Sequence, residues 1–305
     1  MTPFFSVIVP VYNRADVLEQ ALRSVLDQTF QDFEIVVIDD GSSDHPEEVV
    51  ARMNDPRIHI ISKQNGGGAA ARNLGFDRAQ GQYVALLDSD DVFLPHHLEN
   101  MVRVFAEDPD VVAYARMIVD RGDGVTMLKP PRALKADEHM ATYLLCDRGF
   151  VPTITVALAA ETARRVRYSG WRPAEDTDFA IRLYLAGCRF RMIEEPGAVW
   201  NDVYDPKRTS AGRKGAGLIP WLESMKPAIP SRAYYGARGW AIAKGVAVKQ
   251  PLTALRYYLS AVLRGCYHPR LAAIIFLQIF LPDRLYRHIA DRAIPFVPRR
   301  GVSVG

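Results

Sequence analysis

The chain has 305 residues, of which 49% are hydrophobic and 24% are charged, and it carries three widely spaced cysteines. This composition excludes a mostly disordered chain, a framework of disulfides and a cysteine-based metal knuckle. The formal net charge of +3 does not indicate a polyanionic partner for the chain as a whole.

The first 120 residues alternate short apolar runs with helical patterns. The apolar runs, which we predict as buried strands, cover 5–10, 34–39, 57–61 and 83–88. Two of the predicted helices cover 15–28 and 69–79. Two others begin near Pro46, where Asp44 is the predicted cap, and at Pro95. This alternation predicts an α/β fold with a mostly parallel sheet flanked by helices. Ligands of such sheets bind at the carboxyl ends of the strands.

The remaining elements are less regular. We predict a strand over 151–158, a helix over 176–186 that ends at Gly187, and a loop over 201–217. Helical, arginine-rich sequence covers 232–294. We therefore expect a domain over 1–215, with its halves divided at 115/116, and a helical, basic region over 216–305.

Acidic residues follow two of the predicted strands. Asp88 ends the fourth predicted strand and Asp90 and Asp91 follow it, where carboxylates can hold a hard cation such as Mg²⁺ or Mn²⁺. The alternative is an ordinary helix cap, in which aspartate is common. Asp39 and Asp40 end the second strand, where a carboxylate can accept an N–H group from a pyrimidine base or simply form a turn.

Two further motifs carry candidate chemistry. A glycine-rich segment over 65–75 contains Arg72, whose fixed positive charge suits a diphosphate. It is not a P-loop, since no Gly-Lys-Ser/Thr ends it, and the first strand does not lead into G-x-G-x-x-G, which disfavours a dinucleotide dehydrogenase. Glu175 and Asp176 open a predicted helix, where acids are favoured by the helix dipole. The functional alternative is a carboxylate of raised pKa that acts as a general base.

Taken together, Pro10-Val-Tyr-Asn-Arg14, Asp39–Asp44, Gly68–Gly75, Leu86–Asp91 and Glu175–Asp178 have the order and spacing of an inverting family-2 glycosyltransferase. The chain resembles that family over residues 4 to 210, most specifically up to Pro95. The resemblance implies the GT-A fold, with a half that binds the nucleotide-sugar and a half that binds the acceptor. It also resembles the bacterial polysaccharide and exopolysaccharide enzymes of that family.

The resemblance also implies roles for individual residues. The nucleotide would be bound by Pro10, Tyr12, Asn13, Asp39, Asp40, Arg72 and Asp88. Asp90 would bind a divalent Mn²⁺ or Mg²⁺ cofactor, with Asp88 at the ribose or at the metal's water shell. Asp176 would be the catalytic base. Candidates for the acceptor site or for a closing loop are Glu175, Trp171, Lys207 and Arg208. The alternative for Trp171 is an ordinary core tryptophan, and the loop lacks the arginine-histidine pair of many relatives.

The reaction implied is a single displacement. One sugar would pass from a nucleotide-sugar, with a UDP-sugar favoured by Asp40, to a hydroxyl of a glycan acceptor. The likeness to bacterial enzymes suggests an acceptor linked to polyprenyl diphosphate. Two alternatives remain open, namely a nucleotidyltransferase and a non-catalytic, membrane-bound scaffold of the same fold. Tyr12-Asn13-Arg14 disfavours the first, since it stands where a glycine-rich loop is needed, and the intact Asp40, Asp88, Asp90 and Asp176 disfavour the second.

The C-terminal region is basic. Residues 251–305 carry eight arginines and two aspartates, a net charge of +6. Apolar residues beside arginine and tyrosine over 232–300 favour an interfacial helix on an anionic membrane. The alternative is a helical subdomain with arginines that extend to water. No nucleic-acid-binding motif is present. We therefore expect a cytoplasmic protein that is peripheral on the inner face of the cell membrane.

Overall fold

The computed structural model describes residues 2–122, 126–202, 215–282 and 285–286. The chain divides into two compact units, which interleave along the sequence. The N-terminal unit comprises Met1–Ile118, Lys129–Leu144 and Arg148–Trp200. The C-terminal unit comprises Val119–Leu128, Leu145–Asp147 and Asn201–Gly305.

The strands of the described residues form one mixed sheet. They are β1 (Phe5–Val11), β2 (Phe33–Asp39), β3 (Ile58–Ser62), β4 (Tyr83–Leu86), β5 (Val92–Phe93), β6 (Val112–Asp120), β7 (Thr126–Lys129), β8 (Ala157–Ala159) and β9 (Phe190–Asn201). The order is β3-β2-β1-β4-β8-β6-β9-β5, and β7 pairs with β6. β1 to β4 are parallel, whereas β8 is antiparallel to β4 and β6, and β5 is antiparallel to β9. The predicted α/β fold is confirmed, with parallel pairing among β1–β4.

Helices flank this sheet. They are α1 (Ala15–Leu26), α2 (Pro46–Met53), α3 (Gly68–Arg78), α4 (His97–Glu107), α5 (Met140–Cys146), α6 (Ala160–Val166) and α7 (Glu175–Leu185). β2 is buried throughout and β1 is buried except at Pro10, and together they supply much of the core of the N-terminal unit. α3 packs against both strands, and Gly75 permits the close approach, because a Cβ atom there would lie 2.3 Å from Cγ2 of Ile8.

Two local predictions are wrong. Asp44 does not cap α2, which begins after His45 in the left-handed region with Pro46 in its first turn. The Asp44 carboxylate instead accepts a hydrogen bond from the Ala15 N–H at 2.9 Å, because the loop after β2 lies against the start of α1. It therefore satisfies an amide of a different helix.

The predicted strand over 151–158 is also mostly absent. Thr153–Thr155 forms a 3₁₀ turn, and only Ala157–Ala159 is extended. The Thr155 hydroxyl accounts for part of the difference, since its single hydrogen is shared between the carbonyl oxygens of Ala115 and Pro152. Such local bonds compete with a strand ladder.

The C-terminal unit is largely helical over 215–282. Its helices are α8 (Ile219–Met225), α9 (Ser231–Ala237), α10 (Ala243–Val246), α11 (Pro251–Leu263) and α12 (Pro269–Phe280), with a π-helical turn over Arg238–Ile242. Ala254, Cys266, Leu271 and Ile275 are buried in its core, together with Cys146. Among the described residues, no helix is both long and apolar enough to cross a bilayer.

Candidate functional site

The carboxyl ends of the parallel strands meet at one edge of the sheet. Val11 pairs with Asp39, and Asp39 pairs with Ser62. The alignment continues past the strands, because the Asp40 N–H donates to Val11 O and the Lys63 N–H donates to Asp39 O, both at 2.9 Å. The residues that follow β1, β2 and β3 therefore lie side by side, as predicted for a ligand-binding edge.

The loops after β1 and β2 are joined by hydrogen bonds. Asn13 adopts a left-handed backbone with φ +50°, and its side-chain oxygen accepts from the Ser43 N–H at 2.8 Å. The Ser42 hydroxyl accepts from the Asn13 N–H at 3.0 Å, while the Ser42 N–H donates to the Asp39 carboxylate at 2.8 Å. These bonds fix the segment that carries Tyr12, whose side chain is 50% exposed. Its ring is thus available to contact a planar ligand.

Asp40 is buried and organises the glycine-rich turn. One carboxylate oxygen accepts from Lys63 Nζ at 2.5 Å and from the Gly66 N–H at 2.9 Å, and the other accepts from the Gly67 N–H at 2.7 Å. The sequence predicts that Asp40 contacts a nucleobase. In this structure its oxygens hold the turn at the start of α3, which is a structural role that the sequence does not reveal.

The glycine-rich turn brings backbone close to charged side chains. Gly67 has φ +90°, and a Cβ atom there would lie 2.9 Å from Nη2 of Arg172. A Cβ atom at Gly68 would lie 3.2 Å from Nη1 of Arg72 and 3.5 Å from Oε2 of Glu175. Small residues at 67 and 68 therefore leave room for two guanidinium groups and a carboxylate around one turn.

Arg72 connects the turn to the acids at the other strand ends. Its Nη2 atom donates to Oδ1 of Asp88 at 2.6 Å, and its Nη1 atom lies 3.6 Å from Oε2 of Glu175. The guanidinium also lies over the Tyr168 ring, 5.3 Å from its centroid. Burial opposes its charge, but the neighbouring Asp88 and Asp176 outweigh that effect and raise the pKa of Arg72. Arg72 is a fixed cation within the site.

The two acids at the start of α7 have raised pKa values. Burial is the main cause for both Glu175 and Asp176, and the cation of Arg72 opposes it. The Thr153 hydroxyl also lowers the pKa of Asp176, whereas the charge of Asp88 raises it. A half-buried carboxyl group with a raised pKa, adjacent to a fixed cation, is suited to accept a proton.

Asp90 and Asp88 are each paired with a different arginine. Asp90 lies 2.9 Å from Nη1 of Arg14, and Asp88 is bound by Arg72. Within the described ranges, no three His, Cys, Asp or Glu side chains form a ready-made ligand cluster. Two carboxylates that follow one strand nevertheless fit a Mg²⁺-type cation, which is commonly bound by one or two carboxylates and completed by substrate phosphates.

The other candidates have distinct environments. Trp171 is 37% exposed just before the 3₁₀ turn that leads into α7, so it lies at the surface. Pro10 is half-buried near the end of β1. Asp178 is buried and accepts from the Ser169 hydroxyl, which makes it part of the scaffold. Lys207 and Arg208 lie outside the described residues.

Four residues of this site gain a role only from the structure. Lys63 binds Asp40, Arg14 pairs with Asp90, Arg172 lies against Gly67, and Tyr168 lies beneath Arg72. Lys63 directly follows β3, so the strand-end rule that identified Asp40 and Asp88 also applies to it. Arg14 lies within a recognised motif. Arg172 and Tyr168 leave no comparable signal in the sequence.

Comparison with models of protein families identifies the family of this chain. Residues 6–159 match the family model described as Glycosyl transferase family 2, and residues 83–281 match the one described as Glycosyl transferase family group 2. The chain belongs to glycosyl transferase family 2. It is therefore a glycosyltransferase, and the family resemblance predicted from its motifs is confirmed.

Individual relatives support this assignment of the glycosyltransferase. The amylovoran biosynthesis glycosyltransferase AmsB of Erwinia amylovora is 28% identical over 273 residues, covering 83% of this chain and 90% of AmsB. The glycosyltransferase GlyG of Streptococcus pneumoniae serotype 4 is 37% identical over 209 residues, covering 64% and 69% of the respective chains.

Solved structures agree on the fold of the glycosyltransferase. S. aureus TarS 1-349 in complex with UDP-GlcNAc superposes with a TM-score of 0.66 at 18% identity, covering 95% of this chain and 91% of that one. The mannosyltransferase PcManGT from Pyrobaculum calidifontis, in complex with GDP-Man and Mn²⁺, gives 0.59 at 17% identity, with coverages of 96% and 87%.

Proposed function

We propose that this glycosyltransferase is an inverting, metal-dependent enzyme that moves one sugar from a nucleotide-sugar to a hydroxyl group of a glycan acceptor. The observation that carries the proposal is the Arg72 cluster. It joins Asp88, at the end of a parallel strand, to the raised-pKa acids Glu175 and Asp176 through one buried cation. A nucleotide-binding edge and a proton acceptor thereby become neighbours.

The donor would bind along the strand ends. Tyr12, held by the Asn13 hydrogen bonds, would contact the base together with Pro10, and Asp39 and Asp40 would line the base or support the turns around it. A UDP-sugar remains our first choice, and a complex of TarS with UDP-GlcNAc supports it as a fold-level analogy. Arg72 would contribute positive charge near the diphosphate.

Asp88 and Asp90 would hold a divalent cation, Mn²⁺ or Mg²⁺. When bound, such an ion stabilises the charge that develops on a departing nucleoside diphosphate. The structure of PcManGT with GDP-Man and Mn²⁺ supports this proposal. The arginines that now pair with both carboxylates would keep them ordered.

Asp176 would accept the proton of the acceptor hydroxyl during a single displacement, which inverts the anomeric centre. Trp171 would contact the acceptor sugar, because its exposed ring lies just before the catalytic helix. Glu175 would help to position the acceptor. Lys207 or Arg208 would act in a loop that closes over the donor.

The proposed acceptor is a growing cell-surface polysaccharide, linked to polyprenyl diphosphate. Relatives named for amylovoran biosynthesis and, in Bacillus subtilis, teichuronic acid biosynthesis support this class of product. The net charge of +6 in residues 251–305 supports attachment of the enzyme to the anionic inner face of the cell membrane.

The central test separates chemistry from binding. Asp176→Asn should lower the turnover number by about 10²–10⁴-fold, a typical general-base contribution, while nucleotide affinity changes by less than about twofold. Asp90→Ala should instead weaken Mn²⁺-dependent nucleotide binding. Transfer is followed with UDP-, GDP- and dTDP-sugars, and the anomer formed is assigned by NMR. Asp77→Asn, which alters only an exposed ion pair with Arg167, is the control.

Near-normal turnover of Asp176→Asn would refute the assignment of the base. A product that retains the donor's anomeric configuration would refute the inverting mechanism. Equal rates in Mn²⁺ and in excess chelator would refute the role of the metal.

A further inference from the structure

A cleft in the C-terminal unit lies among residues to which the proposed reaction gives no role. Its volume is about 390 Å³, and its lining residues are Tyr235, Arg238, Arg256, Tyr257, Ser260 and Arg264. Three of these six residues are arginines and none is acidic. The cleft is therefore strongly cationic, which is unusual for a surface on which charges of both signs normally alternate.

Aromatic rings and a hydroxyl group hold two of these arginines. The Arg238 guanidinium lies over the Tyr257 ring, 4.4 Å from its centroid, and the Arg264 guanidinium lies 4.2 Å from the centroid of Tyr235. Arg264 Nη1 also donates to the Ser260 hydroxyl at 2.7 Å. Charges that are ordered in advance lose less conformational entropy when they bind an anion.

The surrounding sequence adds little compensating charge. Residues 215–282 contain eight Lys or Arg residues and one acid, Glu223. The Glu223 carboxylate accepts from the Tyr234 hydroxyl at 2.6 Å, and its charge helps to raise the pKa of Arg238, but it is not a lining residue of the cleft. An anion that enters the cleft thus meets positive charge from three arginines.

A row of exposed leucines lies on α11, which also carries Arg256 and ends just before Arg264. Leu252, Leu259 and Leu263 of α11 are 80%, 46% and 85% exposed. Their spacings of seven and four residues place them on one helical face, and Arg256 falls between them on that face. The opposite face is buried through Ala254 and Ala261. The helix therefore presents apolar side chains and a cationic cleft side by side.

We propose that this cleft binds the headgroup of a membrane lipid that carries two negative charges on phosphate, while the leucine row enters the adjacent acyl region. Guanidinium groups match phosphate oxygens in paired hydrogen bonds, and three of them suit a dianion better than a singly charged phosphodiester. The leucines require an apolar partner next to that headgroup, which a soluble phosphate does not provide. The inference rests on the proposed membrane attachment and gives it a specific ligand.

The test uses the full-length chain and phosphatidylcholine vesicles that contain either phosphatidic acid or phosphatidylglycerol, matched in zeta potential. Phosphatidic acid has a terminal phosphate, and phosphatidylglycerol has a phosphodiester. We expect cosedimentation to show about tenfold tighter binding to phosphatidic acid, the factor typical of additional charge-assisted hydrogen bonds.

Two double variants remove the same charge from the same unit. Arg256→Gln/Arg264→Gln removes two charges of the cleft, and Lys249→Gln/Arg270→Gln removes two exposed charges outside it. Both should bind anionic vesicles more weakly, by up to about 30-fold, because each basic residue near a membrane contributes a similar electrostatic attraction. Only the cleft variant should lose the preference for phosphatidic acid.

The leucine row is tested separately. Leu252→Ser/Leu263→Ser should weaken binding to both vesicle types and leave the preference intact, because it removes apolar contacts that do not depend on the headgroup. Thermal unfolding of each variant should match that of the parent protein, since all the substituted side chains are exposed.

Several outcomes would overturn the proposal. One is a parent protein that shows no preference for phosphatidic acid. Another is an equal loss of that preference in the two arginine variants. If inorganic pyrophosphate binds to the cleft and the cleft variant binds vesicles as the parent protein does, the ligand of the cleft is a soluble anion. If the leucine substitutions dissociate a dimer and leave vesicle binding unchanged, the leucine row binds a second copy of the chain. Failure of the parent protein to bind any vesicle would instead refute membrane attachment itself, whereas sugar transfer is measured independently.

Discussion

Three buried or half-buried aspartates of the N-terminal unit show how surroundings determine what a carboxylate does. Asp40 accepts hydrogen bonds from Lys63 and from two backbone amides. Asp178 accepts from Ser169 within the scaffold. Asp176 instead has a raised pKa, because the effect of burial outweighs Arg72 and the Thr153 hydroxyl, which lower the pKa. Of the three, Asp176 is the one suited to take up a proton.

The raised pKa of Asp176 has a consequence for stability. A group whose pKa is higher in the folded state stabilises the fold fully below its unfolded pKa, and this contribution is lost as the pH rises through the folded pKa. At pH 7 the ionised carboxylate therefore lowers the stability of the fold. Asp176→Asn should raise the free energy of unfolding at pH 7, with a smaller gain near pH 4, as measured by urea denaturation.

Asp77→Asn provides a control of opposite sign. The Arg167 side chain lowers the pKa of Asp77, so this exposed carboxylate contributes stability above its unfolded pKa. Its replacement should slightly lower stability at pH 7. A loss of stability in Asp176→Asn at pH 7 would show that the ionised Asp176 carboxylate does not destabilise the fold.

At the scale of elements, the site depends on turns that connect strand ends to helices. The turn between β3 and α3 contains glycines, which have no side chain to obstruct it. Two of its backbone N–H groups donate to the Asp40 carboxylate. α3 then places Arg72 one turn into the helix, where it reaches Asp88 after β4. The position of Arg72 is thus set by how α3 starts and how closely it packs on β1.

Asp40→Asn tests the role of the turn. An amide cannot accept all three of the present hydrogen bonds, so a backbone N–H of this half-buried turn would lose its partner. We expect a loss of about 2 kcal/mol in the free energy of unfolding, together with weaker nucleotide binding. Asp44→Asn is the matched control, because asparagine can also accept at a helix start and should change stability little. Unchanged stability of Asp40→Asn would assign Asp40 to ligand contact alone.

Gly75→Ala tests the packing of α3 on β1. Helix propensity alone would favour alanine by about 1 kcal/mol. The Cβ atom would however lie 2.3 Å from Cγ2 of Ile8, so we expect a net loss of about 1–3 kcal/mol. Denaturation of Ile8→Ala and of the double variant completes a cycle, in which the double variant should lose less than the sum of the two. A stabilised Gly75→Ala would show that the helix can shift.

At the scale of the whole molecule, the two units are not consecutive in sequence. Leu145–Asp147 belongs to the C-terminal unit, where Cys146 Sγ donates to the carbonyl of Arg232 at 3.3 Å. Gly236 leaves room for this sulfur, since a Cβ atom there would lie 2.4 Å from it. A cysteine from the middle of the chain therefore belongs to the core of the C-terminal helices.

Truncation tests the boundary predicted at 215/216. A chain that ends at residue 214 would leave Cys146 and residues 119–128 without the helices of their unit. We expect it to aggregate or to bind a hydrophobic dye, because it exposes apolar surface. A chain that ends at residue 286, which keeps α8 to α12, should unfold cooperatively. A soluble, cooperatively folded 1–214 fragment would instead support the predicted boundary.

The sequence by itself determined the α/β class, the positions of β1 to β4 and the family. Those features depend on local patterns, namely buried apolar runs, helical periods and motifs at strand ends. It also singled out Asp88 and Asp176, since each lies beside a recognisable element boundary.

Only the tertiary structure decided which residues hold one another. Asp44 binds the start of α1, Arg172 lies against Gly67, and Tyr168 lies beneath Arg72. The cleft of the C-terminal unit likewise combines α11 with residues that come before it in the chain, such as Tyr235. The physical reason is that burial, pKa and charge pairing arise from neighbours in space, and those neighbours are far apart along the chain.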